Sequence, residues 1–153
     1  MSPPVLVDTS VVSWYLRRDA RTEYPRLVEW LDDVIAKDGL HISSLTLYEI
    51  RRGIGELRAR GQGARKAARV ELILRQATIL GLDATDHLGW KIAADLWAKG
   101  RSQTPALLFS DGDLFITATA LAHNRLLATV DEKLRSGLKA LGLQAALHEL
   151  KIA

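Results

Sequence analysis

The chain has 153 residues, 48% of them hydrophobic and 25% charged, with a formal net charge of +3; this is the balance of a soluble globular protein, long enough for one domain spanning 1–153 with a real core. Aromatic residues make up only 6% and cysteine is absent, so the core must be built from Leu, Ile, Val and Ala, and disulfides, thiolate metal sites and cysteine nucleophiles are excluded. No apolar run approaches the ~20 residues of a membrane span, and the N-terminus lacks the basic, apolar, small-residue order of a signal peptide; a cytoplasmic location is the expectation.

Val5–Val7 reads as a short buried strand, and Asp8-Thr9-Ser10 supplies an N-cap for a helix over Val11–Arg17. Leu27, Trp30, Leu31, Val34 and Ile35 recur at helical spacing, which predicts a helix over Glu23–Lys37 that Asp38-Gly39 stops. Leu40–Ser43 is a second brief strand. Ser44 is predicted to cap a helix whose core stripe is Leu47, Ile50, Ile54 and Leu57. Gly61-Gln62-Gly63 interrupts that helix, and Ala64–Arg75 resumes it, giving a helical hairpin over about 44–75. A third strand follows at Ala77–Leu80. A helix over Thr85–Lys99 turns Leu88, Ile92, Ala93 and Leu96 inward. After a loop at Gly100–Pro105, Asp113–His123 is helical and apolar on nearly every face, so it should be buried. Leu126–Val130 is a fourth strand, Asp131–Leu141 a helix, and Gln144–His148 a fifth, marginal strand. This alternation predicts a three-layer α/β/α domain around a mainly parallel sheet.

Four acids fall at one kind of place in that alternation. Asp8 and Asp131 end apolar strand runs, Asp113 opens the apolar helix, and Glu49 sits early in the helix after the second strand, about 120° around from its apolar stripe. Right-handed crossovers bring such positions to the carboxyl edge of a parallel sheet, where ligands bind in open α/β folds. Four carboxylates gathered there repel one another unless a cation lies between them, and hard oxygen ligands suit Mg²⁺ or Mn²⁺.

Each acid also has a purely structural reading. Asp8 caps a helix. Ser110-Asp111-Gly112-Asp113 and Thr129-Val130-Asp131-Glu132 have the form of capping boxes, the second making Asp131 a first-turn charge. Glu49 is placed to pair with Arg52. A third chemistry is a phosphatase or phosphotransferase with Asp8 as nucleophile, though Ser10 stands where that chemistry wants a second carboxylate. A binding module whose acids are only caps is the non-enzymatic alternative. His41, His87, His123 and His148 show no ligand spacing. Trp14 and Tyr15 suit either a stacked base or a groove for a partner helix, and Trp30 suits the core.

Charge is unevenly spread. Residues 51–75 hold Arg51, Arg52, Arg58, Arg60, Arg65, Lys66, Arg69 and Arg75 against Glu56 and Glu71, a surplus of six, which leaves the rest of the chain negative by three. A basic arm beside an acidic pocket is what a metal-dependent enzyme acting on a polyanion needs.

The ordered set of motifs resembles the PIN-domain ribonucleases. Val7-Asp8-Thr9-Ser10 looks like their opening motif and Leu47-Tyr48-Glu49-Ile50 like their second acid. Asp113-Leu114-Phe115-Ile116-Thr117-Ala118-Thr119-Ala120 looks like the third, and Leu127-Ala128-Thr129-Val130-Asp131 like the fourth. Size and spacing are most similar to the VapC toxins of bacterial toxin–antitoxin pairs. The resemblance implies a sheet ordered 3-2-1-4-5, a Mg²⁺-dependent endoribonuclease acting on RNA such as tRNA or rRNA, a homodimer, and a VapB-type antitoxin. It implies catalytic roles for Asp8, Glu49, Asp113 and Asp131, with Asp8 and Asp113 the direct metal ligands. Thr9, Ser10 and Thr129 would hold the carboxylates by hydrogen bonds. Asp111 has no counterpart in the pattern.

Overall fold

The computed structural model describes residues 3–150. Four short strands, β1 (Val5–Val7), β2 (Leu40–Ser43), β3 (Ala77–Leu80) and β4 (Leu126–Ala128), form one parallel sheet in the order β3-β2-β1-β4. Leu6 is the hinge of the register: it lies opposite His41 on one side and Leu127 on the other. Side chains alternate across a strand, so β1 feeds both faces. Val7 packs with Val11, Leu27, Leu31, Ile50 and Val70 on one face, and Leu6 packs with Ile116, Leu127, Leu134 and Leu138 on the other.

The first face is covered by α1 (Thr9–Tyr15), α3 (Pro25–Asp38), α4 (Ser44–Ala59) and α5 (Ala64–Arg75), with a short α2 (Ala20–Glu23) linking α1 to α3. The second is covered by α7 (Asp111–Ala122) and α8 (Glu132–Ala140), and α6 (Ala84–Arg101) lies along α7. The three-layer α/β/α reading therefore holds, as do the hairpin and the third strand. Among the described residues no helix is long and apolar enough to cross a membrane.

Several boundaries differ from the sequence reading, each for a local reason. The first helix starts at Thr9, because Asp8 caps it directly and its carboxylate accepts from the Val11 amide. The cap of α4 is Ser43: its Oγ accepts from the Thr46 amide, while the Ser44 hydroxyl donates to the Leu80 carbonyl of the neighbouring strand end. Asp131 is itself the cap of α8, accepting from the Leu134 amide, so it is not a first-turn charge. The fifth strand is reduced to a 3-10 turn at Gln144–Ala146 and a single parallel bridge between Leu127 and Leu147; Gln and Ala have little preference for a strand. At the start of α6, Thr85, Asp86 and His87 have φ of 55–62°, a left-handed turn ahead of the regular helix.

Candidate active site

The carboxyl ends of β1, β2 and β4 deliver Asp8, Ser43 and Thr129 to one edge of the sheet. Asp8 is only 5% exposed. Its Oδ1 accepts the Val11 amide at 3.1 Å and the Ser10 hydroxyl at 2.5 Å. Burial pushes the Asp8 carboxyl above its ordinary value; the Ser10 and Thr129 hydroxyls and the Val11 amide pull it down, and the charge of Asp131 pushes it up. Asp113, half-buried in the first turn of α7, is also raised, by burial first, against the Ser110 hydroxyl, and then by Asp131 and Glu49; Lys133 partly offsets this. Asp131 thus acts on both Asp8 and Asp113, and Glu49 acts on Asp113.

Three hydroxyls hold the acids, and each is one that the motifs singled out. Ser10 donates to Asp8 and its oxygen accepts the Val130 amide at 3.3 Å. Thr129 Oγ1 accepts the Asp131 amide at 3.0 Å, fixing the turn that carries Asp131. Thr9 Oγ1 lies 2.8 Å from Glu49 Oε1 and 3.0 Å from Thr46 Oγ1. A hydroxyl has one proton, and the carboxylate can only accept, so Thr9 gives its proton to Glu49. Thr46 then donates to Thr9 and accepts from Ser43, 3.1 Å away. The result is a chain of hydroxyls from Ser43 through Thr46 and Thr9 to Glu49, with Ser43 and Thr46 fully buried. Sequence reasoning missed Ser43 and Thr46; the signal was the cap spacing of Ser43 and Thr46, assigned one residue too late.

Other expectations are redistributed. Glu49 takes Thr9 as its partner instead of Arg52, and the Arg52 guanidinium lies over the Tyr48 ring at 5.4 Å. Trp14 stacks on Tyr24 at 4.2 Å, and the Tyr15 hydroxyl donates to Asp32 at 2.6 Å; burial, and then this bond, push the phenol up to about 12. Both rings are thus engaged within the chain. Trp30 packs at the edge of the core and stacks on His148. The histidines stay apart: His41 meets Arg125, His87 meets Asp83, and His123 meets the Gly81 carbonyl. In the basic arm, Arg51 pairs with Glu71 at 2.7 Å and Arg60 with Glu56 at 3.2 Å, which partly neutralises it. Asp111 is exposed beside the Ser110 cap.

The donor set is all oxygen. Among the described residues no three of the side chains close into a ready-made cage. The charge pressure that Asp131 puts on Asp8 and Asp113 is of the kind a divalent cation relieves.

Solved structures share this architecture. VapBC2 from Rickettsia felis, bound to a DNA fragment from its promoter, matches with a TM-score of 0.70 at 17% identity, over 94% of this chain and 94% of that one. FitAcB from Neisseria gonorrhoeae matches at 0.65 and 26% identity, over 88% and 93%. A toxin–antitoxin complex from Klebsiella pneumoniae matches at 0.58 and 19%, over 88% and 92%. No curated protein sequence gives a match. The family model described as the PIN domain matches residues 5–137, a span that holds all four carboxylates, the strands that carry them and the hydroxyls that fix them: the chain belongs to the PIN domain family.

Proposed function

We propose that this chain is the VapC-type toxin of a toxin–antitoxin pair, a single PIN domain that cuts RNA in the cytoplasm with a divalent cation, Mg²⁺ or Mn²⁺. The observation that carries the reading is the convergence of Asp8, Glu49, Asp113 and Asp131 at one sheet edge, where burial first and neighbouring carboxylates second disfavour the charged forms of Asp8 and Asp113. Asp8 and Asp113 would hold the ion directly, and Glu49 and Asp131 would orient the attacking water. A bound divalent cation lowers the pKa of water and stabilises charge on the scissile phosphate. The chain's own part is to hold the carboxylates in place: Ser10 on Asp8, Thr9 on Glu49, and Thr129 on the backbone of Asp131. Exposed Arg58, Arg65 and Lys66 on the hairpin would guide the RNA backbone.

The matching complexes from Rickettsia, Neisseria and Klebsiella support a cognate antitoxin as partner. An inhibitor that places Arg or Lys among the acids would replace the ion's charge, so antitoxin and Mg²⁺ should compete in part. A homodimer fits the exposed face of α6, where Trp90 and Trp97 stand seven residues apart at 46% and 48% exposure. The reading is tested by titrating Mn²⁺ into the purified chain and following its electron paramagnetic resonance signal. One saturable site, displaced by Mg²⁺ and absent in Asp113→Asn, supports it. No saturable binding would leave the acids as helix caps.

A further inference from the structure

A cleft of about 330 Å³ opens directly beside the carboxylate cluster. It is lined by Asp113, by the apolar Leu107, Leu108 and Phe109, and by Lys133 and Ser136 of α8. Phe109 is clamped. A Cβ added at Gly137 would lie 2.6 Å from its ring, and one at Gly100 would lie 3.1 Å away. Glycine at both places lets the ring sit between α6 and α8, so this lining is preformed. Leu108, by contrast, is 63% exposed on the loop before α7. A large apolar side chain thus lines, and stands exposed at, a site whose neighbours are charged. Lys133 is exposed and acts on Asp113 through space.

We propose that this cleft seats the base of the nucleotide next to the scissile phosphate and thereby selects the sequence that is cut; the inference rests on the nuclease reading above. A base presents a flat face that tolerates apolar contact and an edge of hydrogen-bonding groups. Leu107, Leu108 and Phe109 supply the face. Ser136 supplies a hydroxyl for the edge. Ser110 is already engaged with Asp113, its oxygen accepting the Asp113 amide at 3.1 Å, so Ser136 is the hydroxyl open to the base. Lys133 answers the phosphate that joins this nucleotide to the next. That combination, apolar lining, hydroxyl edge and a lone ammonium beside a metal-binding acid, matches a nucleotide better than an apolar side chain, which has no use for the ammonium, or an acidic one, which Asp113 repels.

The test uses the full chain with Mg²⁺ and an RNA pool randomised both in single strands and in hairpin loops, with every new end read by sequencing. The unaltered chain should favour one base at a fixed position beside the cut. Leu108→Ser, at an exposed position that does not threaten folding, should lower that preference about tenfold, and Ser136→Ala should change which base is preferred. Favoured RNA should also bind the non-cutting Asp8→Asn chain about tenfold more weakly once Leu108→Ser is added. A preference kept in full by Leu108→Ser and Ser136→Ala overturns the proposal and leaves the nuclease reading standing. A pool left uncut at any Mg²⁺ concentration overturns both. Leu108→Ser that keeps the base preference but weakens an inhibitory antitoxin peptide assigns the cleft to the peptide, and overturns the proposal.

Discussion

Asp8 is both a helix cap and a crowded charge, and the two roles can be separated. Asparagine keeps the oxygen that accepts the Val11 amide and the Ser10 hydroxyl but removes the charge. The carboxyl values of Asp8 and Asp113 are raised in the fold. Such groups favour the folded chain below the ordinary carboxylate range, and that contribution is lost as pH rises through the raised values. Without metal, Asp8→Asn and Asp113→Asn should therefore melt higher than the unaltered chain, by a margin that grows as pH rises from about 4 through the raised values and then levels off. With Mg²⁺ at ten times its Kd, the unaltered chain should gain about 3–6 °C and the variants much less. Calorimetric scans at several pH values check both signs. Thr9→Val tests the hydroxyl chain: loss of the proton that Thr9 gives Glu49 should lower metal affinity or cleavage about 10- to 100-fold with little change in melting temperature. Equal activity in the valine variant would mean that Glu49 needs no positioning.

At the level of elements, α5 and β3 were legible to the residue, because Gly63 and the Arg75-Gln76 break bound clear periodic runs. The caps were legible as residue types but shifted by one place at Ser43 and Ser44, since either serine can cap and only the neighbouring strand end decides. The fifth strand failed because Gln144–Ala146 carries too few strand-forming residues to add more than one bridge to β4. The left-handed turn at Thr85–His87 left no trace in periodicity; it is fastened by Asp83, which accepts the Trp90 indole at 2.7 Å. The positions of Asp8, Asp113 and Asp131 were legible because each sits where a strand ends or a helix begins, and that of Glu49 because it lies early in α4. The cleft beside them was not, because it depends on the packing of Phe109 against Gly100 and Gly137. That packing makes its own demand: Gly137→Ala should cost about 1–3 kcal/mol by overpacking, read as a lower urea midpoint with unchanged slope. A midpoint equal to that of the unaltered chain would mean that the ring and α8 part freely.

For the whole molecule, two surfaces carry the account. One is the apolar face of α6, where Arg101 lies over the Trp97 ring at 4.9 Å. If a two-fold contact forms there, Trp97→Glu should turn a dimer into a monomer in light scattering at micromolar concentration, without loss of helix signal; a monomer before substitution would remove the dimer. The other is the acidic sheet edge, with the cleft at Asp113 beside it. The central claim is that this edge is a metal-dependent RNA-cutting centre. It is tested most directly by incubating RNA with the purified chain and with Asp113→Asn, in Mg²⁺ and in excess chelator, and following the new ends. The account predicts discrete cuts only for the unaltered chain with Mg²⁺. Cutting at an equal rate by Asp113→Asn, or by the unaltered chain in chelator, would contradict it.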